Sequence, residues 1–408
     1  MNEHDELLGE VNEFIRKNNI QRHPLSRRQL LSGASKLALT LASISAFDAL
    51  DLSRASAEGL RAYRQGKIKL PEMTSIPNNL KGSGQVILSS WGGDLAAMQQ
   101  VAYVEPFQKL SGIKVIVSGD QPDSAKIKSQ VDTGNYTYDV CEIDQFTVLN
   151  LNKKASKSYF EPIDYSLFDV AHIAAANRHK YAVDMLPYSW INAYRTDVFK
   201  VAHPRGWVQW WDTKRFPGKR TLPGGTNGVT PFLEGAIMAT GVPMTKVYPI
   251  NIDAAYNSLA KIRPSVVKWW DSGQTPAQLL SSKEAVLANS WSGRIAATKS
   301  RGVPVDIDWY QGMLATDAWA ILRGAPNRTN AQKFTAFMTL PISQARQAML
   351  INYGYVNSRA TEYIPKARLD VLPTAPKQLV QQFHFDSAWW ADNFDEVIKR
   401  WATWVLGS

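Results

Sequence analysis

The chain is predicted to be an α/β protein with two domains, and three observations predict it. Its 408 residues exceed what one hydrophobic core commonly supports. Short apolar runs alternate with helix-periodic segments, the pattern of a largely parallel sheet covered by helices. The composition, 45% hydrophobic and 20% charged, is that of an ordinary globular chain.

The first domain is organised around residues 86–94, Val-Ile-Leu-Ser-Ser-Trp-Gly-Gly-Asp. Val86, Ile87 and Leu88 form the continuous apolar run of a strand buried on both faces, and Gly92 with Gly93 lets the backbone turn sharply before helical sequence resumes. Two readings of the stretch stand. It is either a ligand-contacting turn at the C-terminal end of a strand, where open α/β sheets place their sites, or a plain turn with Trp91 in the core.

The remaining elements follow in order. Residues 58–83, with Pro71 and Pro77, read as a helix-like leader and an extended arm. A helix over 95–110 is closed by Gly112, a strand covers 113–117, a helix over 125–132 is closed by Gly134, and a strand over 138–143 runs into Asp144. An extended aromatic stretch, 187–194, precedes a second α/β unit that starts at Trp207. In that unit a strand over 220–222 leads into a glycine-rich loop, and helices and strands then alternate over 253–262, 276–281, 286–290 and 294–301. Residues 313–322 form a returning strand; helices over 330–337, 342–351 and 386–405 complete the chain. The pairs Trp210-Trp211, Trp269-Trp270 and Trp389-Trp390 are read as sitting on amphipathic helices, one ring packed inward and its neighbour half exposed.

Charge and cysteine usage restrict the function classes. Residues 1–57 resemble a twin-arginine export signal: Arg27-Arg28 precedes an apolar stretch over 37–47, and Ala55-Ser56-Ala57 offers a small-residue cleavage site. The part that follows is then periplasmic and keeps the formal charge of +10, because the basic and acidic residues of the leader cancel. Its positive residues form no run of five or more, which argues against nucleic acid. The single cysteine, Cys141, leaves no intrachain disulfide and is read as buried and inert. The histidines lack ligand spacing and no Gly-x-Ser-x-Gly elbow occurs, so no cofactor, metal or serine nucleophile is expected.

Several stretches resemble one family. Gly206-Trp207 through Trp211-Asp212, Phe216-Pro217-Gly218-Lys219-Arg220, Tyr248-Pro249, Trp291-Ser292-Gly293-Arg294 and Asn352-Tyr353-Gly354-Tyr355-Val356-Asn357 are similar to the periplasmic solute-binding proteins of spermidine and putrescine ABC importers. The resemblance runs from about Val86 to Leu406. It implies a monomeric two-lobed receptor of the periplasmic-binding-protein type II fold, with a ligand cleft between the lobes and several hinge crossovers, serving a membrane permease. The implied lobes are 84–189 with 313–360, and 190–312 with 361–406.

The resemblance also implies a site. The cleft aromatics fall on Trp91, Trp291 and Tyr353, the position after the third strand on Asp144 and Phe146, and the central amine-binding carboxylate on Asp317. The chemistry is coherent, since an ammonium leaving water needs a carboxylate partner and gains from an aromatic face. The chain departs from the polyamine pattern where Pro223-Gly224-Gly225-Thr226-Asn227 carries no acid and where Ala315 replaces a tryptophan. Arg294 beside Trp291 either pairs a substrate carboxylate or forms a structural ion pair. A solute with one cationic amine, cationic or zwitterionic overall, is therefore expected, as in a small monoamine or an opine-like amino acid derivative. Asp317 on its own also reads as a solvated loop carboxylate. The competing functions are a secreted hydrolase using Asp144 and Asp317, or a metal or sugar receptor on the same fold.

Overall fold

The computed structural model describes residues 59–153, 155–225 and 230–407. The export-signal reading of residues 1–57 lies outside the described residues, as do four residues of the glycine-rich loop, 226–229. No helix among the described residues is long and apolar enough to cross a membrane.

The first strand, β1 (Gln85–Ser89), pairs in parallel with β2 (Lys114–Val117) and β3 (Val140–Asp144). Its apolar run forms a strand because Val86 and Leu88 are fully buried. The helical stretch that follows β1 runs from Gly93–Gln99 through a π-helical segment, Gln100–Val104, to Glu105–Ser111. The sequence predicts one regular helix there; the wider segment adds a residue to the turn and still buries Val101, Ala102, Tyr103 and Val104. Gly112 ends it in the left-handed conformation at φ 81°. The arm ahead of β1 is anchored rather than loose, with Leu60, Ile76 and Leu80 buried in the first core.

Two long strands differ most from expectation. β4 (Val183–Arg195) and β8 (Val305–Ile321) span 13 and 17 residues, where shorter runs were predicted. They pair antiparallel with each other along much of their length. Beyond them lie β5 (Arg220–Pro223), β6 (Val266–Trp270) and β7 (Leu287–Trp291), so the sheet order is β2-β1-β3-β8-β4-β7-β5-β6, and a short β9 (Gln382–His384) pairs β8. The outer thirds are parallel, as predicted, but the centre is antiparallel. The reason is topological: β4 leads out of the first group of strands and β8 leads back, and adjacent strands of opposite travel pair antiparallel.

Each end of this sheet carries its own core. Phe107, Trp319, Phe334 and Phe337 belong to one, and Trp207, Trp210, Leu222, Trp270, Trp390 and Trp401 to the other. The tryptophan pairs behave as expected: Trp210, Trp270 and Trp390 are fully buried and their neighbours only partly so. Trp269-Trp270 lies on strand β6 instead of a helix, yet the outcome is the same because successive strand residues face opposite sides. Cys141 is buried on β3, its Sγ 3.7 Å from the Ala320 carbonyl oxygen, and burial pushes its thiol pKa up.

Candidate ligand-binding site

Strand register alone gathers most of the site. On β3, Glu142 and Asp144 are two residues apart and so share a face. Asp144 lies directly opposite Asp317 of β8, Asp317 in turn opposes Leu186 of β4, Tyr188 opposes Ala315, and Trp190 opposes Trp291 of β7. Along β8 the first core ends at Trp319 and the second begins at Ala315, with Asp317 between them. Along β4 the same junction falls at Tyr188, between Leu186 and Trp190. The acidic and aromatic side chains therefore stand where the two cores meet. Asp317 is a strand residue at this junction and not a solvated loop carboxylate.

The acidic group is tightly organised. The Gln99 amide donates to Glu142 Oε2 at 2.6 Å and the Ser90 hydroxyl to the same oxygen at 3.3 Å; no amide or hydroxyl reaches the buried Oε1, and the Glu142 and Asp317 carboxyls lie within hydrogen-bonding reach of each other. The Asp144 carboxylate accepts from the Thr147 amide at 2.7 Å and from the Thr147 hydroxyl at 2.8 Å. Burial pushes the Glu142 pKa up to about 7. Burial, reinforced by the negative charges of Glu142 and Asp144, holds Asp317 well above the ordinary carboxylate range, and burial raises Asp144 as well. Burial and mutual repulsion disfavour the charged form of carboxylates crowded in this way.

An aromatic corner closes one side. The Trp291 ring meets Tyr188, Trp190 and Trp270 edge-on at 6.4, 5.7 and 5.7 Å, and Tyr188 meets Tyr353 at 6.2 Å. Two glycines make the fit possible: a Cβ on Gly273 would come within 2.2 Å of the Trp291 ring, and one on Gly293 within 2.8 Å of Tyr353. Burial is the main cause raising the Tyr188 and Tyr353 pKa values, so both stay neutral. Trp291 caps the helix Ser292–Ser300, in whose first turn Arg294 sits. Arg294 has no carboxylate at ion-pair distance among the described residues, and its Nε and Trp291 Nε1 are both buried without a hydrogen-bond partner.

The structure thus brings together Asp144, Asp317, Trp291, Arg294 and Tyr353. Phe146 and Trp91 are placed differently. Phe146 packs on Phe394 of the C-terminal helix at 4.8 Å, and Trp91 follows the Glu142-bonded Ser90, is 39% exposed as a residue, and accepts from the Gln121 amide through its carbonyl. Sequence reasoning missed Glu142, Tyr188 and Gln99. Glu142 was legible as the same-face neighbour two positions before Asp144; Tyr188 stood unmarked within the aromatic stretch 187–194, and Gln99 carries no such signal. Among the described residues no group of three or more His, Cys, Asp or Glu side chains is arranged to hold a metal ion.

Residues 102–369 match the bacterial extracellular solute-binding protein family. The chain belongs to that family. Over 330 residues it is 31% identical to a gamma-aminobutyric acid-binding protein of Pseudomonas aeruginosa, covering 79% of this chain and 91% of that one. Against the spermidine/putrescine-binding periplasmic protein of Escherichia coli it is 26% identical over 278 residues, 64% of this chain and 75% of that one. Among solved structures it is similar to an ABC transporter substrate-binding protein from Bradyrhizobium japonicum, with TM-score 0.73, 34% identity, and coverage of 79% and 99%. It is also similar to a binding protein from Agrobacterium tumefaciens in complex with agropinic acid, with TM-score 0.66, 28% identity, and coverage of 79% and 99%.

These findings establish the two-lobed binding-protein fold and a receptor of the ABC-transporter type rather than an enzyme, which sets aside the hydrolase reading of Asp144 and Asp317. They also correct the narrower resemblance. The polyamine binders are distant relatives, and the family as a whole is the firm assignment.

Proposed function

We propose that the chain is the periplasmic receptor of an ABC importer for a small zwitterion with a single ammonium group, a γ-amino acid or an opine-like amino acid derivative, which it hands to an inner-membrane permease. One observation carries this reading. A cluster of three carboxylates, Glu142, Asp144 and Asp317, stands on the same sheet face as an aromatic corner, and beside Tyr353 of that corner Arg294 carries a guanidinium with no carboxylate at ion-pair distance among the described residues. The ammonium is held by Asp317 and Asp144, Tyr188, Trp291 and Tyr353 exclude water around the methylenes, and Arg294 takes the carboxylate in a charge-assisted pair. Trp91 and Phe146 stand at the rim. The similarity to a gamma-aminobutyric acid-binding protein and to a binding protein holding agropinic acid supports the ligand class. In the same proposal the export signal occupies residues 1–57, and residues 84–189 with 313–360 form one lobe while 190–312 with 361–406 form the other, so that ligand is captured where they meet.

Titration calorimetry of the purified chain with γ-aminobutyrate, propylamine and spermidine tests it. Asp317→Asn is expected to remove binding of γ-aminobutyrate. Arg294→Gln is expected to weaken γ-aminobutyrate by about tenfold or more while leaving propylamine unchanged, since a charge-assisted hydrogen bond contributes about 1.5–3 kcal/mol. Selective binding of spermidine over both other amines would overturn the zwitterion assignment.

A further inference from the structure

Next to the amine site the structure holds a cavity that the proposed function does not use. It lies between the helices Ser124–Thr133 and Gln145–Lys153 and is roofed by Phe394 of the C-terminal helix. Its volume is about 260 Å³, less than a whole-ligand pocket and suited to one end of a molecule. Thr147 joins the two: its hydroxyl and amide hold the Asp144 carboxylate, and the same residue lines the cavity. Phe146 and Phe394, in ring contact at 4.8 Å, supply an apolar wall. Lys128 and Asn150 supply polar groups, and Lys128 has no ion pair among the described residues, its ammonium lying 5.9 Å over the Tyr159 ring.

We infer that this cavity is a second subsite of the receptor, taking the distal carboxylate of an elongated amino acid whose ammonium sits at Asp144 and Asp317. The inference rests on the amine-receptor reading above and narrows it. A cavity of about 260 Å³ has room for a short run of methylenes and a terminal carboxylate. The methylenes lie along Phe146 and Phe394, and the carboxylate ends at Lys128, with Asn150 donating beside it. A compact γ-amino acid leaves the subsite to water; an amino diacid fills it.

The test compares three probes by calorimetry on the full chain and its Lys128→Ala variant: γ-aminobutyrate, norleucine, and 2-aminoadipate, which keeps norleucine's head and chain length and adds the distal carboxylate. The wild-type chain should bind 2-aminoadipate about tenfold more tightly than norleucine, the value expected of one charge-assisted contact. Lys128→Ala should erase that difference and leave norleucine and γ-aminobutyrate unchanged; Lys128 is exposed, so folding is preserved. Binding of γ-aminobutyrate or norleucine with no preference for the diacid, or a preference that survives Lys128→Ala, overturns the subsite alone. Failure of all three probes to bind overturns the amine-receptor reading and the subsite with it.

Discussion

Glu142 shows what single residues contribute. It is fully buried on β3 and its carboxyl is pushed to about 7 by that burial, against an ordinary value near 4.5. A carboxyl raised on folding stabilises the ligand-free protein below its unfolded pKa, and that contribution is lost as pH rises through the folded value. The melting temperature of the ligand-free chain should therefore fall between about pH 4.5 and 7, and Glu142→Gln should flatten this slope. On the proposed reading the ligand reverses the preference, because an ammonium favours the ionised cluster. Affinity for γ-aminobutyrate should rise with pH across the neutral range, with proton release visible as a buffer-dependent heat; a flat profile would separate the carboxylates from amine binding. Gly293 makes a second residue-scale point. With Tyr353 against it, Gly293→Ala should displace that ring and weaken binding severalfold while changing stability little by comparison, measured by calorimetry and urea unfolding.

At the scale of elements, the C-terminal helix Ser387–Leu406 ties parts of the molecule together. One side places Trp390, Val397 and Trp401 in the second core, while Phe394 and Asp392 reach Phe146 and Lys153 of the helix after β3. The Lys153–Asp392 pair, at 2.6 Å, is exposed and contributes little by itself; the ring contact and the buried tryptophans dominate. The helix starts where Asp386 accepts from the Trp389 amide at 2.9 Å. Asp386→Ala should destabilise the chain by about 1 kcal/mol, read from the urea midpoint. Most elements were legible in the sequence because apolar periodicity and capping residues are local properties. The long strands were underestimated for a physical reason: polar positions such as Asp184, Asp306 and Asp308 break the apolar pattern, yet backbone pairing between β4 and β8 continues past them.

For the whole molecule, two antiparallel strands join two cores, and the site stands at their junction. A ligand held there touches groups from both sides, so capture should couple to closure. Ligand binding only to the folded form should raise stability by about 2.7 kcal/mol at a hundredfold excess over the dissociation constant. Small-angle scattering should report a smaller radius of gyration with γ-aminobutyrate than without it, and Asp317→Asn should abolish both effects.

The sequence by itself determined the α/β class, the order of most elements, that each tryptophan pair packs one ring inward, and the chemistry on offer: carboxylates, aromatics and one arginine at motif positions. Tertiary structure decided which of these meet. Asp144 faces Asp317 only because β3 and β8 pair antiparallel in one register, and Glu142 and Tyr188 join them only through that pairing and its continuation into β4. Periodicity is set by neighbours in the chain, whereas register between distant strands is set by the packing of the whole sheet, so the residues of the site were readable one by one and their assembly was not.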